Sequence, residues 1–279
     1  MSAQSSWTAE AVANIPLSLY LHWPWCVRKC PYCDFNSHAA PADLAEREYV
    51  DIVLKDLEGW LSVAGGRRIE TVFIGGGTPS LMSGDAVARL LEGADRLFGF
   101  TSDCEITLEA NPGTVDEGRF RAFRDAGVNR VSVGVQSFNN DLLKQMDRYD
   151  KYGCGQEILE RIQDASPYFV SMNADMIFNF PAQTEDTLIH DIEMVVASGA
   201  SQTTFYPLMA SPSVQRSLAA TVGKVDYNRE RRFYEIICDL LLGDLPGGQP
   251  GLFELGSAWT FNRRGTGAAG EDAMIDEYV

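Results

Sequence analysis

Apolar residues fall into two rhythms along this chain. Six short runs have the length and β-branched content of strands: LSLYLHW (17–23), TVFIGG (71–76), EITLEAN (105–111), VSVGVQ (131–136), NADMIFNF (173–180) and TTFYPL (203–208). Between them, apolar residues recur at helical spacing over 43–61, 85–98, 116–127, 155–165 and 185–199. Asp43 followed by Glu46 predicts a capping box at the first helix, and Gly127 and Gly199 predict C-terminal caps on two others. Strand then helix, repeated, predicts an α/β fold with a parallel sheet, closed or partly closed as a barrel.

The rhythm weakens after about residue 210. NRERRFYEIICDLLLG (228–243) still reads as an amphipathic helix with Phe233, Ile236, Ile237, Leu240 and Leu241 on one face, and GDLPGGQPG (243–251) reads as a loop. RRGTGAAGEDAMIDEYV at the end shows no period. The expected organisation is an extension at 1–16, a core barrel at 17–210 and a further extension at 211–279.

A net charge of −16 argues against a general nucleic-acid binder, which needs a basic surface. An anionic ligand would have to meet local arginines such as Arg28, Arg148, Arg231 and Arg232. No apolar run reaches the length of a membrane span, and MSAQSSWTAEAVANIP lacks the basic and apolar regions of a secretory signal. Three of six cysteines sit in one tight cluster, which argues against a disulfide framework and predicts a reducing cytoplasm.

That cluster is CVRKCPYC (26–33), directly after the first strand, where ligands gather in parallel β/α folds. Three thiols admit three readings. Cys26, Cys30 and Cys33 could hold three corners of a [4Fe–4S] cube and leave one iron open; they could close around zinc with His38; or a remote Cys104, Cys154 or Cys238 could complete a structural site. The run Gly75-Gly76-Gly77-Thr78-Pro79 is either a plain turn or a place where backbone meets a ligand, and no GK[ST] follows to make it a P-loop. Glu109 and Gln136 end their strands with polar side chains, as solvated ends or ligand contacts do. Asp175 lies in an apolar strand, where an unpaired carboxylate is costly, so a ligand or an arginine partner is expected. Arg148 reads as a surface charge or a ligand contact. His22 and His38 flank the cysteine loop, and His190 lies opposite the apolar face of its helix.

Taken together, SLYLHWPWCVRKCPYCDFNSH (18–38), VFIGGGTPSLMSG (72–84), EITLEANPGTVDEGRF (105–120) and GVNRVSVGVQSF (127–138) resemble the radical S-adenosylmethionine (SAM) superfamily. The likeness runs from about Leu17 to Asp186. It is to the branch that contains the oxygen-independent coproporphyrinogen III oxidases and the HemW haem chaperones. The resemblance implies a partial (β/α)6 TIM-like barrel with a short helical C-terminal extension. It also implies a three-cysteine [4Fe–4S] cluster whose open iron chelates SAM, so that one electron cleaves SAM to a 5′-deoxyadenosyl radical. By the same likeness Tyr20 lies beside the sulfonium and Tyr32 near a nucleoside. Gly76, Gly77 and Thr78 meet the methionyl moiety, Glu109 and Gln136 the amine and ribose, and Arg148 and Asp175 make further SAM contacts. No catalytic side chain is assigned beyond the cluster. A tetrapyrrole (haem or porphyrinogen) is the implied partner, with flavodoxin or ferredoxin as the kind of electron donor.

Three departures bear on the branch. Phe35 stands where the oxidases typically carry a fourth cysteine, which favours the chaperones. The chaperones' HNxxYW motif has no match here. FNFPAQTED replaces the more usual GLPxQ. The expected function is therefore a haem chaperone or oxidase-like protein. The alternatives are a radical SAM oxidase or methyltransferase on another substrate, a non-catalytic haem carrier, or a zinc-stabilised binding module.

Overall fold

A computed structural model describes residues 15–246 and 249–266. In chain order the strands are β1 (Leu17–Trp23), the short parallel pair β2 (Trp25–Cys26) and β3 (His38–Ala39), β4 (Ile69–Gly76), β5 (Phe100–Ala110), β6 (Arg130–Gln136), β7 (Ser171–Phe178), β8 (Gln202–Pro207), β9 (Phe253–Leu255) and β10 (Thr260–Arg263). The helices are α1 (Glu46–Glu58), α2 (Leu61–Ala64), α3 (Gly84–Phe98), α4 (Glu117–Asp125), α5 (Asn140–Gln145), α6 (Tyr149–Tyr152), α7 (Gly155–Ala165), α8 (Glu185–Ser198), α9 (Pro212–Thr221) and α10 (Glu230–Leu242). All six strands expected from the sequence form and pair in parallel, in the order β1-β4-β5-β6-β7-β8. The sheet then continues antiparallel through β10 and β9 and stays open.

Period-two alternation splits this sheet chemically. Val72, Ile74, Leu108, Val131, Val133, Met172 and Ala174 pack with the helices into one apolar core. The opposite face carries polar residues in register: Glu109 pairs with Ser132, Ser132 with Asn173, and Asn173 with Gln202. That face becomes the inner wall of a cavity.

One of the expectations about helix ends turned out differently. The capping box from Asp43 does not form: α1 begins at Glu46 with Ala45 at its N-cap and no side-chain cap. The Glu46 carboxylate instead meets the start of α3, accepting from both the backbone N–H and the hydroxyl of Ser83 at 2.7 Å. Ser83 is the N-cap of α3, so an acid from another helix completes its cap. Gly199 does end α8 in the left-handed conformation, and Gly127 follows Ala126 with φ +110°.

The region after 210 is helical, as expected, in α9 and α10. The hairpin β9–β10 was not foreseen, because three- and four-residue strands carry too few alternations to show a period. An arginine from this region holds the turn that follows β7. Arg229 donates to Asn179 Oδ1 at 2.8 Å, the Gln183 carbonyl at 2.7 Å and the Phe180 carbonyl at 2.6 Å. The divergent NFPAQ segment is thus braced by the C-terminal extension. Among the described residues no helix is long and apolar enough to cross a membrane. The expectations for residues 1–14 and 267–279 lie outside the described residues.

Candidate functional site

Pro31 at the second position of a turn fixes the local path of the cysteine loop, and the Cys33 N–H closes that turn on the Cys30 carbonyl at 3.1 Å. The β2–β3 pair clamps the loop's base, with His38 N–H on the Pro24 carbonyl (2.7 Å) and Ala40 N–H on the Cys26 carbonyl (2.8 Å). Lys29 Nζ donates across the loop to the Phe35 carbonyl at 2.8 Å. The three thiols face a cavity of about 840 Å³ at the C-terminal ends of the parallel strands.

The glycine run closes one wall. Gly77 N–H donates to the Trp23 carbonyl (2.6 Å) and Thr78 N–H to the Trp25 carbonyl (2.8 Å), which zips β4 to the segment entering the cysteine loop. Gly76 N–H donates to Glu109 Oε2 at 2.9 Å. Asn111 links this wall to the next: its Nδ2 donates to Thr78 Oγ1 (3.0 Å), and its Oδ1 accepts from Arg148 (2.7 Å). The Arg148 guanidinium also donates to the Gly134 carbonyl, to Tyr32 Oη (3.4 Å) and toward Cys30 Sγ (3.9 Å), and it stacks on Tyr152. Arg148 is therefore a buried cation beside a cysteine, not the surface charge its DRYDK setting allowed.

Two half-buried carboxyls face the cavity. Burial and the nearby charge of Asp175 push Glu109 up to about 7, against the N–H of Gly76. Burial pushes Asp175 up to about 6, although it accepts from Ser132 Oγ and Asn173 Nδ2 at 2.7 Å each. Asp175 thus has two neutral hydrogen-bond donors, and the charge of Arg130 acts to lower it. Below the site, the buried Asp191 of α8 accepts from Phe138 N–H (2.7 Å) and Ser137 Oγ (2.9 Å), and burial pushes it up to about 7.

These shifts fix the sign of a pH effect. An unfolded carboxyl releases its proton near pH 4, whereas these three keep theirs in the folded chain until roughly pH 6–7. Their contribution to stability is full below about pH 4 and is lost as pH rises through 6–7. In cofactor-free protein, Glu109→Gln with Asp175→Asn is expected to change the urea midpoint little at pH 4.5 and to raise it relative to the parent at pH 7.5. Equal changes at the two pH values would contradict the assignment.

Ten of the twelve residues expected at the site line the cavity: Cys26, Cys30, Cys33, Tyr32, Gly77, Thr78, Glu109, Gln136, Arg148 and Asp175. Gly76 stands behind it on Glu109. Tyr20 is exposed, its hydroxyl 3.0 Å from His22 Nδ1 and its ring stacked on Phe73, which does line the cavity. Gln136 has φ +72° at a register shift between β6 and β7, an uncommon conformation for a side-chain-bearing residue. His38 and His190 are exposed, and neither lines the cavity.

Among the described residues no three histidine, cysteine or carboxylate side chains converge closely enough to hold a metal ion. The Cys₃His zinc arrangement is not assembled, and Cys104, Cys154 and Cys238 lie away from the cavity. A cube takes one thiolate at each corner iron and so spreads its sulfurs further apart than a single ion does. Three cavity-facing thiols, with no fourth cysteine and no histidine among the described residues that line the cavity, fit that group. Asn111, Phe73, Tyr206 and Trp259 line the cavity but were not picked out from the sequence. Asn111 had a signal, since it stands inside the EANPGTV motif.

Residues 20–195 match the family described as the Radical SAM superfamily. The heme chaperone HemW of Escherichia coli (strain K12) is 43% identical over 199 residues, covering 71% of this chain and 52% of that protein. The mitochondrial radical S-adenosyl methionine domain-containing protein 1 of Bos taurus is 38% identical over 166 residues, covering 60% and 37%. The chain spans about half the length of the curated relatives it matches. In fold it is similar to the coproporphyrinogen III oxidase HemN of Escherichia coli, with a TM-score of 0.79 and 22% identity over 92% of this chain and 58% of that one.

Proposed function

The chain belongs to the radical SAM superfamily, and from that premise we propose that Cys26, Cys30 and Cys33 hold three irons of a [4Fe–4S] cluster whose fourth iron takes SAM in the adjoining cavity. One observation carries this reading above the rest. Loops and strands as much as 149 positions apart, from Cys26 to Asp175, bring three thiols, a buried arginine and two carboxyls to one cavity.

When bound, the cluster and SAM supply one-electron reductive cleavage to a 5′-deoxyadenosyl radical. The chain's own residues prepare the place. Arg148 braces Cys30 and Tyr32, Gly77 and Thr78 present backbone at the strand end, and Glu109 and Asp175 face the cavity as carboxyls. A cationic ligand arriving between those carboxyls favours their ionised forms, so its binding releases protons. Tyr20, Gly76 and Gln136 complete the proposed SAM contacts.

The protein is HemW-like, and its proposed partner is a tetrapyrrole, handled as a haem chaperone does rather than by oxidase chemistry. Phe35 supports that choice, since it presents an exposed ring at the cavity mouth in place of the oxidases' cysteine. Electrons would come from a reductant of the flavodoxin or ferredoxin kind. The test is anaerobic incubation of reconstituted protein with SAM and a strong reductant, followed by haem titration and an assay with coproporphyrinogen III. The reading predicts 5′-deoxyadenosine, saturable haem binding and no decarboxylation. Decarboxylation would transfer the chain to the oxidases, and absence of both haem binding and 5′-deoxyadenosine would refute the reading.

A further inference from the structure

Asp34 follows Cys33 directly, yet its carboxylate reaches a residue 177 positions along the chain. Oδ1 accepts from the Ser211 hydroxyl at 2.8 Å, and Oδ2 accepts from the Ser211 backbone N–H. Ser211 is the N-cap of α9, its Oγ accepting from Val214 N–H at 3.4 Å. The arrangement repeats the one between Glu46 and Ser83, in which an acid from another element binds both the N–H and the hydroxyl of a cap serine. A cap serine held this way loses freedom at two atoms, and so does the acid that holds it.

The location gives this second pair its meaning. The cysteine loop follows β1, whereas α9 follows β8, five strands away in the sheet. At its other end the loop is tied through Arg28 to Asp147, which Lys151 also holds. Asp34 and Ser211 both line the cavity, so their contact lies at its mouth.

We propose that Asp34 is a positioning residue. By completing the cap of α9 through Ser211, it straps the Cys30–Cys33 end of the loop across the cavity mouth, and the first helix of the C-terminal extension thereby sets how the thiols are presented. This rests on the cofactor reading only for what the thiols are presented to.

Hydrogen exchange on the cofactor-free full chain tests the strap alone. Asp34→Ala is expected to speed exchange at residues 34–38 and at the first turn of α9 by roughly fivefold, the size of a lost cap. Asp34→Asn should retain part of the protection, because its amide oxygen can still accept from the Ser211 N–H. Adding Ser211→Ala to Asp34→Ala should bring no further change at residues 34–38, whereas loss of the serine's own bond to Val214 N–H should fray the first turn of α9 further. In reconstituted protein, Asp34→Ala should lose iron to a chelator roughly fivefold faster than the parent at equal overall stability. Unchanged exchange at 34–38 in Asp34→Ala, with or without fraying of α9, would overturn the proposal. If the parent takes up no iron, the cofactor reading falls and the exchange result still decides the strap.

Discussion

Cys30→Ser is expected to take the iron of anaerobically reconstituted protein from about four per chain to well below one, with labile sulfide falling in step. The effect is chemical rather than structural. The turn around Cys30 is closed by its backbone carbonyl, which serine keeps, and the Arg148 contact can pass to a hydroxyl oxygen. Stability should therefore stay within about 1 kcal/mol of the parent. What is lost is a thiolate, and two thiolates do not retain a cube. Zinc at one per chain in the parent, unchanged in the variant, would contradict both the cluster and the role of Cys30. The same replacement at Cys104 or Cys238, which lie away from the cavity, should leave iron unchanged.

Gly77→Ala should have a large structural effect at the site. A Cβ on Gly77 would fall 2.7 Å from the Trp25 carbonyl oxygen and 2.9 Å from the Pro24 carbonyl carbon. These are backbone atoms and cannot rotate aside. Relief must come from separating β4 from the segment that enters the cysteine loop, which breaks the Gly77–Trp23 and Thr78–Trp25 hydrogen bonds and moves Cys26. Such overpacking costs about 1–3 kcal/mol, so the urea midpoint should fall clearly and iron uptake with it. Gly66→Ala is the control: it carries φ +80° with nothing within 4 Å of the added methyl, so it should cost some stability and leave iron uptake alone. Equal iron uptake in the two variants would show that the glycine turn does not position the loop.

The physical origin of each signal decides what could be read ahead of the structure. The six parallel strands were legible because burial on the helix side imposes runs such as VSVGVQ, and the cysteines because their spacing is local. Arg148 was not: DRYDK reads as solvated, and only the approach of Asn111, Gly134 and the cysteine loop buries it. The same holds for Glu46, whose local pattern matched a capping box while a neighbouring helix offered it two donors. Trp259 reaches the cavity on a hairpin that joins the sheet through β10, which pairs with β8. Chemistry confined to a few consecutive residues could be foreseen, and chemistry made by tertiary approach could not.

The central claim, that three thiols hold a cluster open to SAM, is tested most directly by electron paramagnetic resonance of the reduced, reconstituted chain with and without SAM. The account predicts a [4Fe–4S] signal whose g-values shift when SAM is added, in the parent but not in Cys30→Ser. A signal indifferent to SAM, or no paramagnetic cluster in protein reconstituted with iron and sulfide, would contradict it.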